Sequence, residues 1–212
     1  MRVLVTAGGT RERIDDVRVI ANLSTGRLGA RIASRARAAG HEVTLLCGVN
    51  SERPDGDMAC EVFDTSEDLA ALLQRHVPGA DAVFHAAAVA DYVPQTAAGK
   101  LSSDRDEMVL RMRRAPKLID GLRAMAPDAL LVGFKLTSGL DEAGNLAVAG
   151  RLRERASLDL VVVNDSAQID EQDHEALLVD GDGLAARCRG KTAIADELVG
   201  RLSTPAGQEA GA

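Results

Sequence analysis

The sequence predicts an α/β fold: a doubly wound, mostly parallel sheet with a C-terminal hairpin extension. Three observations predict it. Short apolar runs and helical patterns alternate as β-α-β-α-β over residues 1–88. The first apolar run ends in Gly8-Gly9, a turn of the kind that opens a strand end toward a ligand. Far downstream, Asp180-Gly181-Asp182-Gly183 divides two strand-like runs, as a hairpin turn does. Together they point to a Rossmann-like single domain over residues 1–202, followed by a small, polar, flexible tail over 203–212.

Each element has its own warrant. Residues 2–6 are apolar enough for a buried strand. Residues 26–40 read as a helix with Leu28, Ile32, Ala36 and Ala39 on or near one face, ended by Gly40. A strand over 42–47 and a polar loop over 51–57 follow. Thr65 or Ser66 caps a helix through Gln74, with Glu67 and Asp68 in its first turn. Residues 80–88 form a strand that ends in small side chains. Residues 92–106 show no periodicity, and a loop of that length is usually functional or disordered. In 93–106 only Val93 and Leu101 are large and apolar, so the segment is expected to be weakly anchored and mobile. Residues 107–112 alternate as a strand does. Pro116 opens a helix to Ala124. A strand over 129–134, a helix over 141–156 and a strand over 158–163 come next. The hairpin pairs 176–180 with 184–187, and a helix over 191–202 closes the fold.

Composition narrows the function. With 46% apolar residues the 212-residue chain can bury a sizeable core. It has three Phe, one Tyr and no Trp, so the core is aliphatic, and aromatic cages or base-stacking platforms are poorly supported. A formal charge of −7 argues against a duplex-binding surface. Cys47, Cys60 and Cys188 are widely spaced and match no zinc pattern. Such a sparse, odd set reads as reduced thiols. The first strand begins directly after Met1, and no apolar run approaches the roughly 20 residues of a membrane span. A cytoplasmic protein without nucleic-acid or membrane partners is expected.

The first thirty residues carry the chemistry. Gly8 and Gly9 allow close backbone approach, and Thr10 offers a hydroxyl. The helix near Gly26 offers free N–H groups at its positive end, with Ser24 and Thr25 beside it. The stretch suits a phosphate, a reading preferred to the plainer one in which Ser24 or Thr25 merely caps the helix and the glycines merely turn the chain. It is not the dinucleotide fingerprint, because sixteen residues separate Gly9 from Gly26, and it is not a phosphate loop of the G-x-x-x-x-G-K-[ST] type. Gly8, Gly9, Ser24, Thr25, Gly26 and Asp91 are expected to line one crevice. The four histidines form no triad pattern, and His85 reads as packed at its strand end.

The ordered segments Val5-Thr6-Ala7-Gly8-Gly9-Thr10, Ile14-Asp15, Val17-Arg18 and Asn22-Leu23-Ser24-Thr25-Gly26-Arg27-Leu28-Gly29 are each weak but specific as a set. They continue with Ala87 to Tyr92, Lys100-Leu101-Ser102-Ser103, Pro116-Lys117, Gly133-Phe134-Lys135, Asn164-Asp165 and Gln168-Ile169. On these residues, from 1 to about 200, the sequence resembles the phosphopantothenate–cysteine ligases of coenzyme A biosynthesis, also called phosphopantothenoylcysteine synthetases. It looks like the free-standing bacterial type, with Lys100-Leu101-Ser102-Ser103 and Ala115-Pro116-Lys117-Leu118 where fused members usually have Lys-Ile-Lys-Lys and Asn-Pro-Asp-Ile.

The resemblance implies a Rossmann-like homodimer. It implies activation of the 4′-phosphopantothenate carboxylate by a nucleoside triphosphate, CTP with Mg²⁺, and attack by the amine of cysteine on the acyl-nucleotide. It also implies a functional link to a separate phosphopantothenoylcysteine decarboxylase. By residue, Asn22, Arg18 and the loop lysine Lys100 resemble catalytic groups. Asp91, Ala115, Pro116, Lys117, Leu118 and Phe134 resemble nucleotide contacts. Arg151 and Arg155 stand where the family has two nucleotide-binding lysines, and arginine still pairs with phosphate. No metal ligand is assigned. Two other readings stand beside this one. An NAD(P)-dependent Rossmann oxidoreductase lacks its glycine fingerprint here, and Tyr92 is followed four residues on by Thr96 rather than lysine. A non-catalytic nucleotide-binding regulatory protein is compatible with the lysine-to-arginine changes.

Overall fold

The structure is a computed structural model and describes residues 1–54, 58–102, 104, 106–169 and 174–203. In chain order it runs β1 (Arg2–Ala7), β2 (Arg11–Arg13), β3 (Val19–Ala21), α1 (Arg27–Ala38), β4 (Glu42–Gly48), β5 (Cys60–Phe63), α2 (Ser66–His76) and β6 (Ala82–His85). Then come β7 (Tyr92–Pro94), β8 (Met112–Arg114), a 3₁₀ turn (Leu118–Gly121), α3 (Leu122–Met125), β9 (Leu130–Thr137) and α4 (Glu142–Ala156). The chain closes with β10 (Leu160–Ile169), β11 (His174–Asp180), β12 (Gly183–Arg189), α5 (Lys191–Gly200) and a last 3₁₀ turn, Arg201–Ser203.

Eight strands form one sheet in the order β12-β11-β10-β9-β6-β1-β4-β5. The six from β10 to β5 are parallel, and the β11–β12 hairpin adds two antiparallel strands at one edge. This is the doubly wound sheet with its C-terminal hairpin. The sheet divides the interior in two because successive side chains on a strand point to opposite faces. Val3, Val5 and Ala7 of β1 pack with Ile32, Ala33 and Ala36 of α1 and Ile194 and Leu198 of α5. Leu4 packs on the other side with Leu69 and Leu73 of α2, Leu122 of α3 and Leu152 of α4. The chain leaves β1 in one direction to β4 and β5, and returns on the other side of it as β6. Such a reversal opens a crevice at the strand C-terminal ends.

Local chemistry accounts for the helix ends. Thr65 is the α2 cap: Asp68 N donates to Thr65 Oγ1 at 3.1 Å while Thr65 N donates to Asp68 Oδ2 at 2.9 Å, a reciprocal box. Asp141 caps α4 by accepting from Gly144 N at 2.8 Å. Gly40 has φ of +85°, a conformation glycine reaches without strain, and it turns the chain out of α1.

Several expected elements move. The strand expected over 107–112 lies at β8 and pairs with β7, inside the segment expected to be irregular. The helix expected from Pro116 is a 3₁₀ turn followed by the single turn α3. β6 stops at His85, because residues 86–88 turn toward β1 and Ala88 N donates to Gly8 O at 2.8 Å. β5 and the β2–β3 hairpin were not anticipated; at three or four residues they are too short to show a period. The final helix ends at Gly200. Of the expected polar loop, residues 55–57 lie outside the described residues, as do 204–212 of the expected tail.

Two expectations follow. Gly29 faces β1 so closely that a Cβ there would lie 2.6 Å from Ala7 Cβ and 3.1 Å from Thr6 O. Neither atom is the end of a flexible chain, so Gly29→Ala is expected to cost about 1–3 kcal/mol by overpacking, read as a lower urea midpoint at unchanged slope. His85 is 5% exposed, with Nδ1 3.1 Å from Thr6 Oγ1. Burial drives its imidazole down to about 4. The folded state therefore binds fewer protons than the unfolded chain below about pH 6.5. Its stabilising share is present above that pH and is lost as pH falls toward 4, on the order of 3 kcal/mol in total. Urea midpoints of wild type and His85→Gln should diverge on acidification through this window; parallel curves would contradict a buried neutral His85.

Candidate functional site

The site begins at the C-terminal end of β1. Gly8 and Gly26 have φ of +86° and +77° and stack so tightly that a Cβ on Gly26 would sit 3.2 Å from Gly8 N. A Cβ on Gly9 would lie 2.7 Å from Asn22 O. Only glycine allows these approaches without strain or displacement. They bring the 10–25 loop back onto β1. Thr10 N donates to Ala88 O at 3.1 Å, and Asn22 N to Thr10 O at 3.4 Å. Asn22 Nδ2 also donates to Ala88 O, at 3.0 Å, which uses one of its two amide hydrogens. Thr10 is fully buried, and its hydroxyl accepts from Ala90 N at 3.0 Å. Its hydroxyl thus shapes the turn at residues 88–91.

Ser24, Thr25 and Gly26 lead into α1. Gly26 is the cap, with no side-chain capping bond; Thr25 Oγ1 accepts only a long 3.4 Å contact from Arg27 N. There is no acidic residue in the first turn of α1, so no carboxylate of the helix itself counters its positive end. Arg27 pairs with Glu52 beside them.

A second group ties the 13–18 turn to the 96–101 segment. Asp15 is 1% exposed and accepts from Val17 N at 2.9 Å, Arg18 N at 2.7 Å, Arg18 Nη1 at 2.6 Å and Leu101 N at 3.0 Å. Burial by itself would raise its carboxyl. The backbone donors of Val17, Leu101 and Arg18, with the Arg18 charge, outweigh burial and hold it below the usual carboxylate range. Thr96 Oγ1 donates to Arg13 O at 3.1 Å, and Ala97 N to Ile14 O at 3.0 Å. The 96–101 segment expected to lack anchors is thus tied by polar bonds, which an apolar count cannot register. Lys100 itself is exposed. Ser103 and Arg105 of that loop lie outside the described residues.

The third group surrounds a cavity of about 890 Å³ at the C-terminal ends of β6 and β9. Asp91, Pro116, Lys117, Leu118, Phe134, Arg151 and Arg155 all line it. Lys117 is ion-paired with Asp91. Arg155 Nε lies 3.1 Å from Asp120 Oδ1, and Arg151 has no ion pair among the described residues. Lys135 and Glu154 also line the cavity, so its cations outnumber its carboxylates four to two in a chain of net charge −7. Its size suits a small-molecule ligand. Ala115 sits just behind, buried, with its N–H donated to Asp91 O at 2.9 Å.

A smaller cavity of about 230 Å³ is lined by Asn22, Ile20, Tyr92 and Met112, and shares Val89, Ala90 and Asp91 with the larger one. Asn22 and the cationic cavity therefore lie on two sides of one turn. Gly8, Gly9, Ser24, Thr25 and Gly26 were expected in one crevice with Asp91 but line neither cavity; Gly8 and Gly26 close around Ser51, and Gly8 is joined to the Asp91 turn only through Ala88. Lys135 and Asp15 were not singled out from sequence. The Gly133-Phe134-Lys135 motif carried the signal for the first. For Asp15 the signal was an aspartate two and three residues before the amides of a turn, a pattern shared by many surface turns.

Among the described residues, no cluster of three or more His, Cys, Asp or Glu side chains could hold a metal ion, and no helix is long and apolar enough to cross a membrane.

The coenzyme A biosynthesis bifunctional protein CoaBC of Thermococcus kodakarensis is 37% identical over 183 residues, covering 85% of this chain and 45% of that protein. CoaBC of Mycobacterium tuberculosis is 34% identical over 219 residues, covering 96% of this chain and 52% of that protein. The chain thus spans about half the length of these curated relatives. The crystal structure of the DNA/pantothenate metabolism flavoprotein from Streptococcus pneumoniae superposes with a TM-score of 0.89 at 30% identity, covering 95% of this chain and 98% of that one. That of the C-terminal domain of a CoaBC superposes with a TM-score of 0.77 at 26% identity, covering 95% and 93%. The profile of one family runs through β1, the Asn22 loop, the Asp91 turn and the hairpin without a break, over residues 1–205, and the chain belongs to it: the DNA/pantothenate metabolism flavoprotein C-terminal domain family.

Proposed function

We propose that this chain joins 4′-phosphopantothenate to L-cysteine, using a nucleoside triphosphate, in coenzyme A biosynthesis. One observation carries the reading: the turn at residues 89–91 is a common wall between a cationic, nucleotide-sized cavity and the pocket of Asn22. Two substrates on either side of one turn can meet there. Family membership and the bifunctional CoaBC relatives support it.

In the first step a carboxylate oxygen of phosphopantothenate attacks the α-phosphorus of MgCTP. The bond to the β-phosphate oxygen breaks, and pyrophosphate leaves. Two anions must approach each other, so the chain's task is to neutralise and align them. Lys117, Lys135, Arg151 and Arg155 would receive the nucleotide phosphates, Phe134 the base face, and Asp91 a sugar hydroxyl. Mg²⁺ would enter with the triphosphate and supply charge neutralisation there. Asn22 keeps one amide hydrogen for the oxygen on which charge develops, and Arg18 and Lys100 add positive charge. The start of α1, where the Glu52 carboxylate is already paired with Arg27, and the Gly8-Gly9 turn suit a second phosphate group. In the second step the cysteine amine attacks the acyl carbon, loses a proton and expels CMP, leaving an amide.

The unit that acts is the 1–202 domain, whose eight-stranded sheet is the common support of the loops and of the helix α4 that carry the groups named. Homodimer formation fits the exposed apolar side chains around the two hairpins: Val17, Val19, Tyr92, Met108 and Val109. A cytoplasmic setting and a functional tie to a phosphopantothenoylcysteine decarboxylase complete the proposal. The tie is supported by the bifunctional relatives.

The deciding measurement is pyrophosphate release on mixing the protein with phosphopantothenate, Mg²⁺ and each of CTP, ATP, GTP and UTP. Release is expected to be fastest with CTP, and an amide product should follow once cysteine is added. No release with any of the four would sink the ligase reading and favour a non-catalytic nucleotide binder. Lys100→Gln should lower kcat by about 100-fold, the scale of one lost charge-assisted contact in a transition state. Arg151→Ala should instead raise the KM for MgCTP by roughly 10-fold with a smaller change in kcat. The opposite pattern would move Arg151 out of nucleotide binding.

A further inference from the structure

The four hydrogen bonds of Asp15 divide by oxygen. Oδ1 accepts from Val17 N at 2.9 Å and Arg18 N at 2.7 Å, closing the turn between β2 and β3. Oδ2 accepts from Leu101 N at 3.0 Å and Arg18 Nη1 at 2.6 Å. The same Nη1 donates to Leu101 O at 3.2 Å, and Asp16 N donates to Gly99 O at 3.3 Å. Lys100 is thus held at both neighbours by a single turn. Its own side chain is exposed and has no hydrogen bond or ion pair among the described residues. Arg18 spends one nitrogen on the tether and keeps Nε and Nη2.

An aspartate that merely closes a four-residue turn does so equally well in water. Burying its carboxylate is costly unless every lone pair finds a donor. Here the burial comes from the 96–101 segment lying across the turn, and the second oxygen is given wholly to that segment and to Arg18.

We propose that Asp15 is a positioning residue, which sets the Lys100 segment in register with Arg18 so that the two cations are presented together. It rests on the ligase reading for the purpose of those cations. Asp15 touches no substrate; it acts through Leu101 and Arg18.

Asp15→Asn separates its two duties. The amide oxygen still closes the turn, while the amide NH₂ faces Leu101 N and Arg18 Nη1, donor against donor. Hydrogen exchange and pyrophosphate-release kinetics are measured on wild type and variant. The Leu101 amide should exchange at least ~10-fold faster in the variant, with the Val17 and Arg18 amides still protected. kcat per folded protein, with the folded fraction read from the urea unfolding curve, should fall by ~10-fold or more while KM for MgCTP stays within about 3-fold; destabilisation alone would lower only the folded fraction and leave this normalised kcat unchanged. If Asp15→Asn does not fold, Asp15→Ser, whose hydroxyl still closes the turn, is measured in the same way. Unchanged Leu101 exchange overturns the proposal. So does faster exchange with kcat retained, even if thermal stability falls. Wild-type protein that releases no pyrophosphate overturns the ligase reading itself, whereas release at equal rates by wild type and Asp15→Asn overturns only this one.

Discussion

The backbone of Ala88 is the point on which the site depends. Its N–H is donated to Gly8 O at 2.8 Å, and its carbonyl accepts from both Thr10 N and Asn22 Nδ2. β6 ends three residues earlier, at His85, and Ala88 returns to make a single isolated parallel bridge to Gly9 beyond the regular ladder. The bonds form only because Gly9 leaves room for Asn22 beside it. From this knot the 10–25 loop is returned to β1, and the turn at 88–91 is presented to both cavities. A buried polar network of this kind is worth most when every member is satisfied, and Thr10, fully buried, has its N–H, carbonyl and hydroxyl all engaged.

A similar economy of backbone donors holds the end of β9, which carries Phe134 and Lys135 into the larger cavity. Asp165 is 4% exposed and accepts from Gly139 N at 3.0 Å, Leu140 N at 3.1 Å and Ala167 N at 2.9 Å. Those donors, led by Gly139 and Ala167, outweigh its burial and keep it ionised below the usual carboxylate range. Thr137 Oγ1 donates to Asn145 Oδ1 at 2.6 Å, which joins the end of β9 to α4. β9 carries Phe134 and Lys135, and α4 carries Arg151 and Arg155. The two walls of the cavity are therefore held to each other by buried polar contacts as well as by Ala149 and Leu152 in the core.

Charge is distributed to the same end. Arg11 pairs with Asp64 half-buried, Arg123 with Asp159 and Arg187 with Glu175 nearer the solvent, and solvent-exposed pairs add little stability individually. Their effect is to neutralise the surface locally. Arg151 is left without a carboxylate partner among the described residues, on the lining of a cavity where an anion would find it. A chain that is acidic as a whole can in this way offer a cationic pocket.

Much of this was legible in the residues. β1, α1, β4, α2, β9, α4 and the β11–β12 hairpin follow from apolar period, caps and turn glycines, all of which act within a few residues. The family resemblance, carried by the ordered motifs, pointed to Asp91, Lys117, Phe134, Arg151 and Arg155 as residues of one kind of site. Their gathering was beyond local reading. Asp91 and Arg155 meet because β6 lies between β1 and β9, an order decided by burying both faces of the sheet at once. The three-residue strands β2, β3, β7 and β8 form only where a partner arrives from elsewhere in the chain. Asp15 in Ile14-Asp15-Asp16 looks like any surface aspartate until the 96–101 segment covers it. The sequence by itself determined the elements and the chemistry available. The tertiary structure alone decided which groups share a cavity and which carboxylate is buried, because those depend on contacts between segments some 60 to 90 residues apart.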